Sequence, residues 1–229
     1  MRSATSVAQN SFRLPGSRPD SAPLQAPSFC RVIAVVRPEL DFEIWMPERW
    51  NKKYEAVGNG GLAGTFPYGG MIDPLERGYA VSSTNTGHVN AHGGDATWAQ
   101  GHMDRVINYG QRGVHEMALA SKAIIRAFYG AAPVHSYFNG CSYGGKQALT
   151  EVQKYPDDFD GVIAGDPQRH FGARSVVLAF LLQAVGGLQQ AGAVIQHQLA
   201  DFGQPTLVGT AFKKFDAKLD FKSRNGGTD

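Results

Sequence analysis

The run Gly140-Cys141-Ser142-Tyr143-Gly144 constrains this chain more than any other segment. An apolar, β-prone stretch, Val134 to Phe138, leads into it, and the helix-compatible Gly145 to Val152 follows. A serine with a glycine two positions away on each side, set where a strand becomes a helix, fits a nucleophile elbow. There the backbone bends so sharply that a β-carbon at the flanking positions is not tolerated, while the serine Oγ stands clear of the sheet edge. Such a bend serves acyl chemistry, with the amide of Tyr143 at the helix N-terminus facing a developing oxyanion. The Tyr143 side chain is expected to project into the cleft.

The surrounding pattern supplies the fold that an elbow needs. Residues Arg31 to Val36 and Phe42 to Met46 read as an antiparallel opening pair, with short strands following at Tyr54 to Val57 and Gly78 to Ser82. From Gln111 to Tyr129, Val114, Met117, Ala118, Ile124, Ile125 and Phe128 recur at three and four with Ser121 on the same face, which predicts an amphipathic helix stopped by Gly130 and Pro133. The elbow helix ends near Tyr155-Pro156, and Asp160 to Gly165 is a further strand. Strands alternating with helices call for an α/β fold with a mostly parallel sheet.

With 229 residues the chain is most simply one domain, and its net charge of +2 is nearly balanced. No run of Lys or Arg is interleaved with aromatics, so nucleic acid is not an expected partner. No apolar stretch reaches the roughly 20 residues that cross a bilayer. Residues 1–27, rich in Ser, Pro, Arg and Gln, read as a disordered lead-in without the apolar core of a secretory signal. Both a cytoplasmic protein and one whose signal lies outside this sequence fit that reading. Cys30 and Cys141 alone exclude a multi-disulfide framework and read as small buried thiols.

The glycine run Gly58 to Gly64 has two readings. Gly58, Gly60 and Ala63 match a weak dinucleotide fingerprint, but Pro67, Gly69, Gly70 and Pro74 argue against the required helix, and Ser83-Thr84-Asn85 offers no carboxylate for a ribose. The preferred reading is an oxyanion loop, with Gly60 or Gly61 donating the second N–H. A serine also needs a histidine and a carboxylate, in the chain order Ser, acid, His for this fold. After Ser142 only His170 and His197 remain, and neither is well placed as a base; His88, His92 and His115 read as polar loop and helix residues. No spacing suggests a metal site.

Four segments together resemble the tannase and feruloyl esterase family: Val57 to Gly64, Thr84-Asn85-Thr86-Gly87-His88, Gly140 to Gly145, and Tyr155-Pro156-Asp157-Asp158-Phe159-Asp160-Gly161. The likeness runs from about Ser28 to about Pro167. It implies an α/β-hydrolase-type core with an inserted lid, hydrolysis of esters of aromatic acids such as gallate or ferulate, and secretion or a periplasmic location. By the resemblance Ser142 is the nucleophile, and Tyr143 with a glycine of Gly60-Gly61 forms the oxyanion hole. It further implies that Cys141 is of the disulfide type, bonding a cysteine beside the catalytic histidine, and that members hold structural calcium in the lid.

The chain departs from that pattern in carrying no His-Cys segment, no catalytic acid, and no Asp-rich calcium loop, so no cofactor is expected. Residues 28–170 read as the N-terminal portion of the core, 171–202 as the start of a helical lid and 203–229 as an irregular tail. Loss of triad partners costs on the order of a millionfold in turnover. The expectation is a partial family member with a small aromatic ester as substrate; a non-catalytic binding module of the same fold is the alternative.

Overall fold

Apolar and polar residues alternate in the first hairpin and set its pairing. In the computed structural model, which describes residues 1–90 and 95–167, β2 (Phe29–Val36) and β3 (Leu40–Pro47) pair antiparallel from Phe29↔Pro47 to Val36↔Leu40. Val32, Ala34, Phe42, Ile44 and Met46 point to one face of the sheet and Phe29 and Trp45 to the other. With β1 (Ser3–Val7), β4 (Lys53–Val57), β5 (Ala80–Thr84), β6 (His135–Cys141) and β7 (Gly161–Gly165) they form one seven-stranded sheet in the order β1-β2-β3-β5-β4-β6-β7. Pairings from β1 to β5 are antiparallel, and those joining β5, β4, β6 and β7 are parallel. This is the mixed sheet with flanking helices of an α/β hydrolase.

The expected disordered lead-in is corrected by β1. Ser3 to Val7 adds antiparallel to β2, and Phe12 beyond it is buried edge-on against Trp45, ring centres 4.8 Å apart. Most β1 side chains stay exposed, so main-chain hydrogen bonds, with Val7 packed beneath the strand's end, hold it and no apolar alternation announces it.

A second correction is α1 (Tyr68–Glu76), in the place where Pro74 and two glycines argued against a helix. A proline inside a helix costs about 3 kcal/mol. Met71 and Leu75 are fully buried here, at about 1.5–3 kcal/mol each, and offset it. The dinucleotide reading is then opposed by the carboxylate-free end of β5 rather than by a missing helix.

On the opposite face, α3 (Gly113–Tyr129) buries Val114, Met117, Ala118, Ser121 and Ile125, and Gly130 closes it with φ 73°. Phe128 departs from its expected place on that face; it is exposed, edge-on to Tyr129. Before α3 come α2 (Met103–Ile107) and a π-helical turn, Asn108 to Arg112, in which the Gly113 N–H reaches back to the Asn108 carbonyl. Beside α3 on the sheet lies α4 (Tyr143–Lys154), packed on β6 and β7. No helix among the described residues is long and apolar enough to cross a membrane.

Because β5, β4 and β6 are parallel neighbours, their C-terminal ends share one edge of the sheet. The Thr84 to His88 segment, the glycine loop and the Ser142 turn leave from those three ends, the place where ligands bind in open α/β sheets. The expected lid at 171–202, the tail at 203–229, and His92, His170 and His197 lie outside the described residues.

Candidate active site

The bend at Ser142 is built from glycines that no other residue could replace. A β-carbon on Gly140 would stand 2.4 Å from the Gly144 carbonyl oxygen, and one on Gly145 2.5 Å from that of Gly165. Chain reversal over so little space leaves Ser142 at φ 61°, ψ −117°, a conformation that costs a non-glycine residue about 1–3 kcal/mol. Its N–H donates to Gly165 O at 3.0 Å and its carbonyl accepts from the Lys146 N–H at 3.1 Å, so both ends of the turn are pinned. Half-buried Ser142 is the N-cap of α4, yet its side chain makes no capping bond, and Oγ bonds no other described residue. The hydroxyl is thus not consumed by the fold.

The glycine loop lies directly against this turn. Gly58 and Gly144 meet backbone to backbone, since a β-carbon on Gly58 would come within 2.7 Å of Gly144 Cα. The loop then coils through positive φ at Gly61 (55°), Ala63 (57°) and Gly64 (83°), closed by a bond from Ala63 N–H to Gly60 O. Gly60 and Gly61 amides hydrogen-bond to no other described residue, and Gly60 is exposed. Tyr143 contributes the first helical residue of α4, where the macrodipole favours negative charge.

The side chain of Tyr143 does not project into a cleft, contrary to expectation. It is buried at 1% exposure, stacked on Tyr109 with centres 4.3 Å apart and rings 2° from parallel, and its hydroxyl donates to the Tyr109 carbonyl. Lys146 donates to the next carbonyl, Gly110 O. Both acceptors belong to the π-helical turn, whose wide spacing exposes carbonyls that an α-helix would use internally. Burial pushes the Tyr143 phenol well up and the Lys146 ammonium down to about 7.

His88 and His115 are engaged elsewhere. His88, 3% exposed, stacks on Trp98 with centres 3.7 Å apart, lies 2.8 Å from Leu62 O through Nε2, and is pushed down to about 4 by burial. It props the glycine loop as a neutral ring. His115 Nδ1 lies 2.6 Å from Asp158 Oδ2, a pairing that resembles the base and acid of a triad. Asp158 follows the C-terminus of the twelve-residue α4, so the pair stands about 18 Å along that helix from Ser142. In the same turn Asp160 accepts the Ser136 N–H at 2.7 Å, so Tyr155 to Gly161 braces the return from α4 to β7.

Cys141 is exposed and Cys30 half-buried, both as free thiols, which corrects the reading of two buried cysteines. Four strand spacings, about 19 Å, separate β2 from β6, so the two cannot bond to each other. Among the described residues no group of three His, Cys, Asp or Glu side chains could hold a metal ion. Residue reasoning did not single out Asn59, Tyr109, Lys146 or Gln147. For the two on α4, Lys146 and Gln147, the polar positions recur at three and four with Thr150 and Glu151, a period that ordinarily reads as a solvated face although all four are buried.

Comparison with known proteins places this geometry. A protein-family model described as tannase and feruloyl esterase matches residues 26–216. An uncharacterized esterase of Xanthomonas campestris is 40% identical over 171 residues, 72% of this chain and 29% of that protein. A probable feruloyl esterase of Arthroderma benhamiae is 38% identical over 133 residues, 54% of this chain and 24% of that protein. The crystal structure of feruloyl esterase B from Aspergillus oryzae superposes with a TM-score of 0.67 at 30% identity, covering 74% of this chain and 34% of that one. The chain thus spans less than a third of the length of the curated relatives it matches, the larger share being 29%. With an elbow, an abutting glycine loop and a family match over most of its length, the chain belongs to the tannase and feruloyl esterase family.

Proposed function

We propose that this chain carries the nucleophile and oxyanion portion of a serine carboxylic ester hydrolase acting on esters of aromatic acids such as gallate or ferulate. One observation carries the proposal: Ser142 is held at φ 61°, ψ −117° between β6 and α4, with a hydroxyl that neither caps the helix nor bonds a described residue. The aromatic acyl group follows from relatives named feruloyl esterase.

In the proposed reaction Ser142 Oγ attacks the ester carbonyl while its proton passes to a base, and the carbonyl oxygen gains the charge. The amides of Tyr143 and of Gly60 or Gly61 stabilise that oxyanion; one such donor is worth about a hundredfold to a thousandfold in rate. Collapse releases the alcohol and leaves an acyl-serine, which water hydrolyses to the free acid and Ser142. No described histidine hydrogen-bonds Ser142.

A fluorophosphonate probe tests the nucleophile. Labelling of the wild type that disappears in Ser142→Ala supports the assignment, and labelling that persists in the variant overturns it. The alternative is a non-catalytic binding module of the same fold. Turnover of a small aryl ester above buffer, abolished in Ser142→Ala, decides against that reading.

A further inference from the structure

Asn59 and Gln147 join the glycine loop to α4 by two opposed amide bonds. The Asn59 N–H donates to Gln147 Oε1 at 2.9 Å, and Gln147 Nε2 donates back to Asn59 Oδ1 at 3.0 Å. Asn59 Nδ2 donates in turn to Thr65 O at 2.9 Å, on the far limb of the loop, and to Thr84 O at 2.7 Å, at the end of β5. Asn59 is 4% exposed and Gln147 3%. A buried amide left without its partner is unfavourable, so the loop cannot slide along α4 without losing several such bonds together.

The placement of this pair matters more than its strength. Gln147 lies just over one turn beyond Ser142 on α4, and Asn59 immediately precedes Gly60. One side-chain contact therefore spans the two elements that each hold part of the oxyanion site. The close approach of Gly58 to Gly144 sets how near the two backbones come, and the amide pair sets how far one is displaced along the other.

We infer that Gln147 and Asn59 are positioning residues that fix the Gly60 and Gly61 amides relative to Ser142 and the Tyr143 amide. This inference rests on the serine esterase reading and adds a registration device to it. Donors act on an oxyanion only within about 2.7–3.1 Å, so a small slip of the loop lowers the rate of the covalent step and leaves initial binding intact.

The test compares Gln147→Met, close in volume but without either bond, with Gln147→Glu, which keeps an acceptor for the Asn59 N–H. Thr150→Val is the control, since it removes a bond on the same helix, Thr150 Oγ1 to Lys146 O at 3.0 Å, without touching the loop. In Gln147→Met, amide exchange at Ala63 and Asn90, bonded to the loop carbonyls of Gly60 and Gly64, accelerates at least about tenfold while β2 and β3 stay unchanged. The limiting rate of fluorophosphonate labelling falls about tenfold to a hundredfold at an unaltered half-saturating concentration. Gln147→Glu shows a smaller change in the same direction, and Thr150→Val stays within about twofold of wild type on both measures. Unchanged loop exchange in both Gln147 variants, or equal acceleration in Thr150→Val, overturns the inference. A wild-type protein that takes no label counts against the esterase reading instead, and the exchange measurement still decides the role of the pair.

Discussion

α3 and α4 lie side by side on one face of the sheet and are held there by different forces. α3 buries Val114, Met117, Ala118 and Ile125, so its attachment comes from apolar area removed from water. α4 buries Lys146, Gln147, Thr150 and Glu151, and is tied by directional bonds to the π-helical turn and the glycine loop. Apolar burial is non-directional and tolerates small shifts; a set of matched donors and acceptors does not. The helix that carries Ser142 is the one held by the less forgiving device.

The sharpest test of that contrast is at the root of α4. Gly140→Ala places a methyl 2.4 Å from the Gly144 carbonyl, which only a displacement of the whole helix start relieves. It is expected to destabilise by more than about 4 kcal/mol in urea unfolding, beyond the truncation of the buried Met117 side chain on α3. A cost under about 1 kcal/mol would show that the turn yields and would break the comparison.

Met117→Ala on α3 removes a fully buried side chain and is expected to cost about 3 kcal/mol, with fluorophosphonate labelling of the folded protein unchanged. Altered labelling would mean that α3, too, positions the serine.

α4 also buries two groups that make stability depend on pH. Burial, with Asp158 adding to it, pushes the Glu151 carboxyl from 4.5 up to about 9, and burial pushes Lys146 from 10.5 down to about 7. Above pH 4.5 the unfolded chain releases the Glu151 proton while the folded chain keeps it, so stability falls as pH rises toward 9. For Lys146 the sign reverses: from pH 7 to 10.5 the unfolded chain holds the proton that the folded chain has lost, so stability rises. Between pH 5 and 6.5 His88, held neutral down to about 4, adds a slope of the opposite sign, against which Glu151 contributes up to about −1.4 kcal/mol per unit. Glu151→Gln removes that contribution, as denaturation at pH 5, 6 and 7 will show; an unaltered slope assigns the response to another group.

Ser142→Gly relieves the strain of φ 61° and is expected to gain about 1 kcal/mol after the added flexibility of the unfolded chain, raising Tm by about 2–4 °C while abolishing labelling. A fall in Tm would remove strain from the account of the turn. Leu119→Ala, on the exposed side of α3, should stay within about 0.5 kcal/mol; a larger loss would reveal a partner on that face.

What the chain discloses before folding follows the same division. α3 is readable from its period, and the Ser142 turn from its glycines, because apolar recurrence and steric necessity are written in residue type. β1 is not, since Ser3 to Val7 pairs through its backbone; α1 is not, since burial of Met71 and Leu75 overrides Pro74. At the site, Ser142 and the Gly60-Gly61 loop come to one sheet edge as expected, whereas Tyr143 turns inward. The Asn59–Gln147 pair escaped because polar residues on a helix are ordinarily read as a solvated face, and only their partners, 88 positions away in the chain, show them to be interior.

The wide turn at Asn108 to Arg112 makes residue count itself a support of the helix that carries Ser142. Deleting one residue there would restore ordinary helical spacing, withdraw the two carbonyls that receive Tyr143 and Lys146, and rotate Tyr109 by about 100° away from its stacking partner. The two carbonyl contacts depend on the length of the segment and not on its side chains, so natural variation here should appear as substitution and not as insertion or loss.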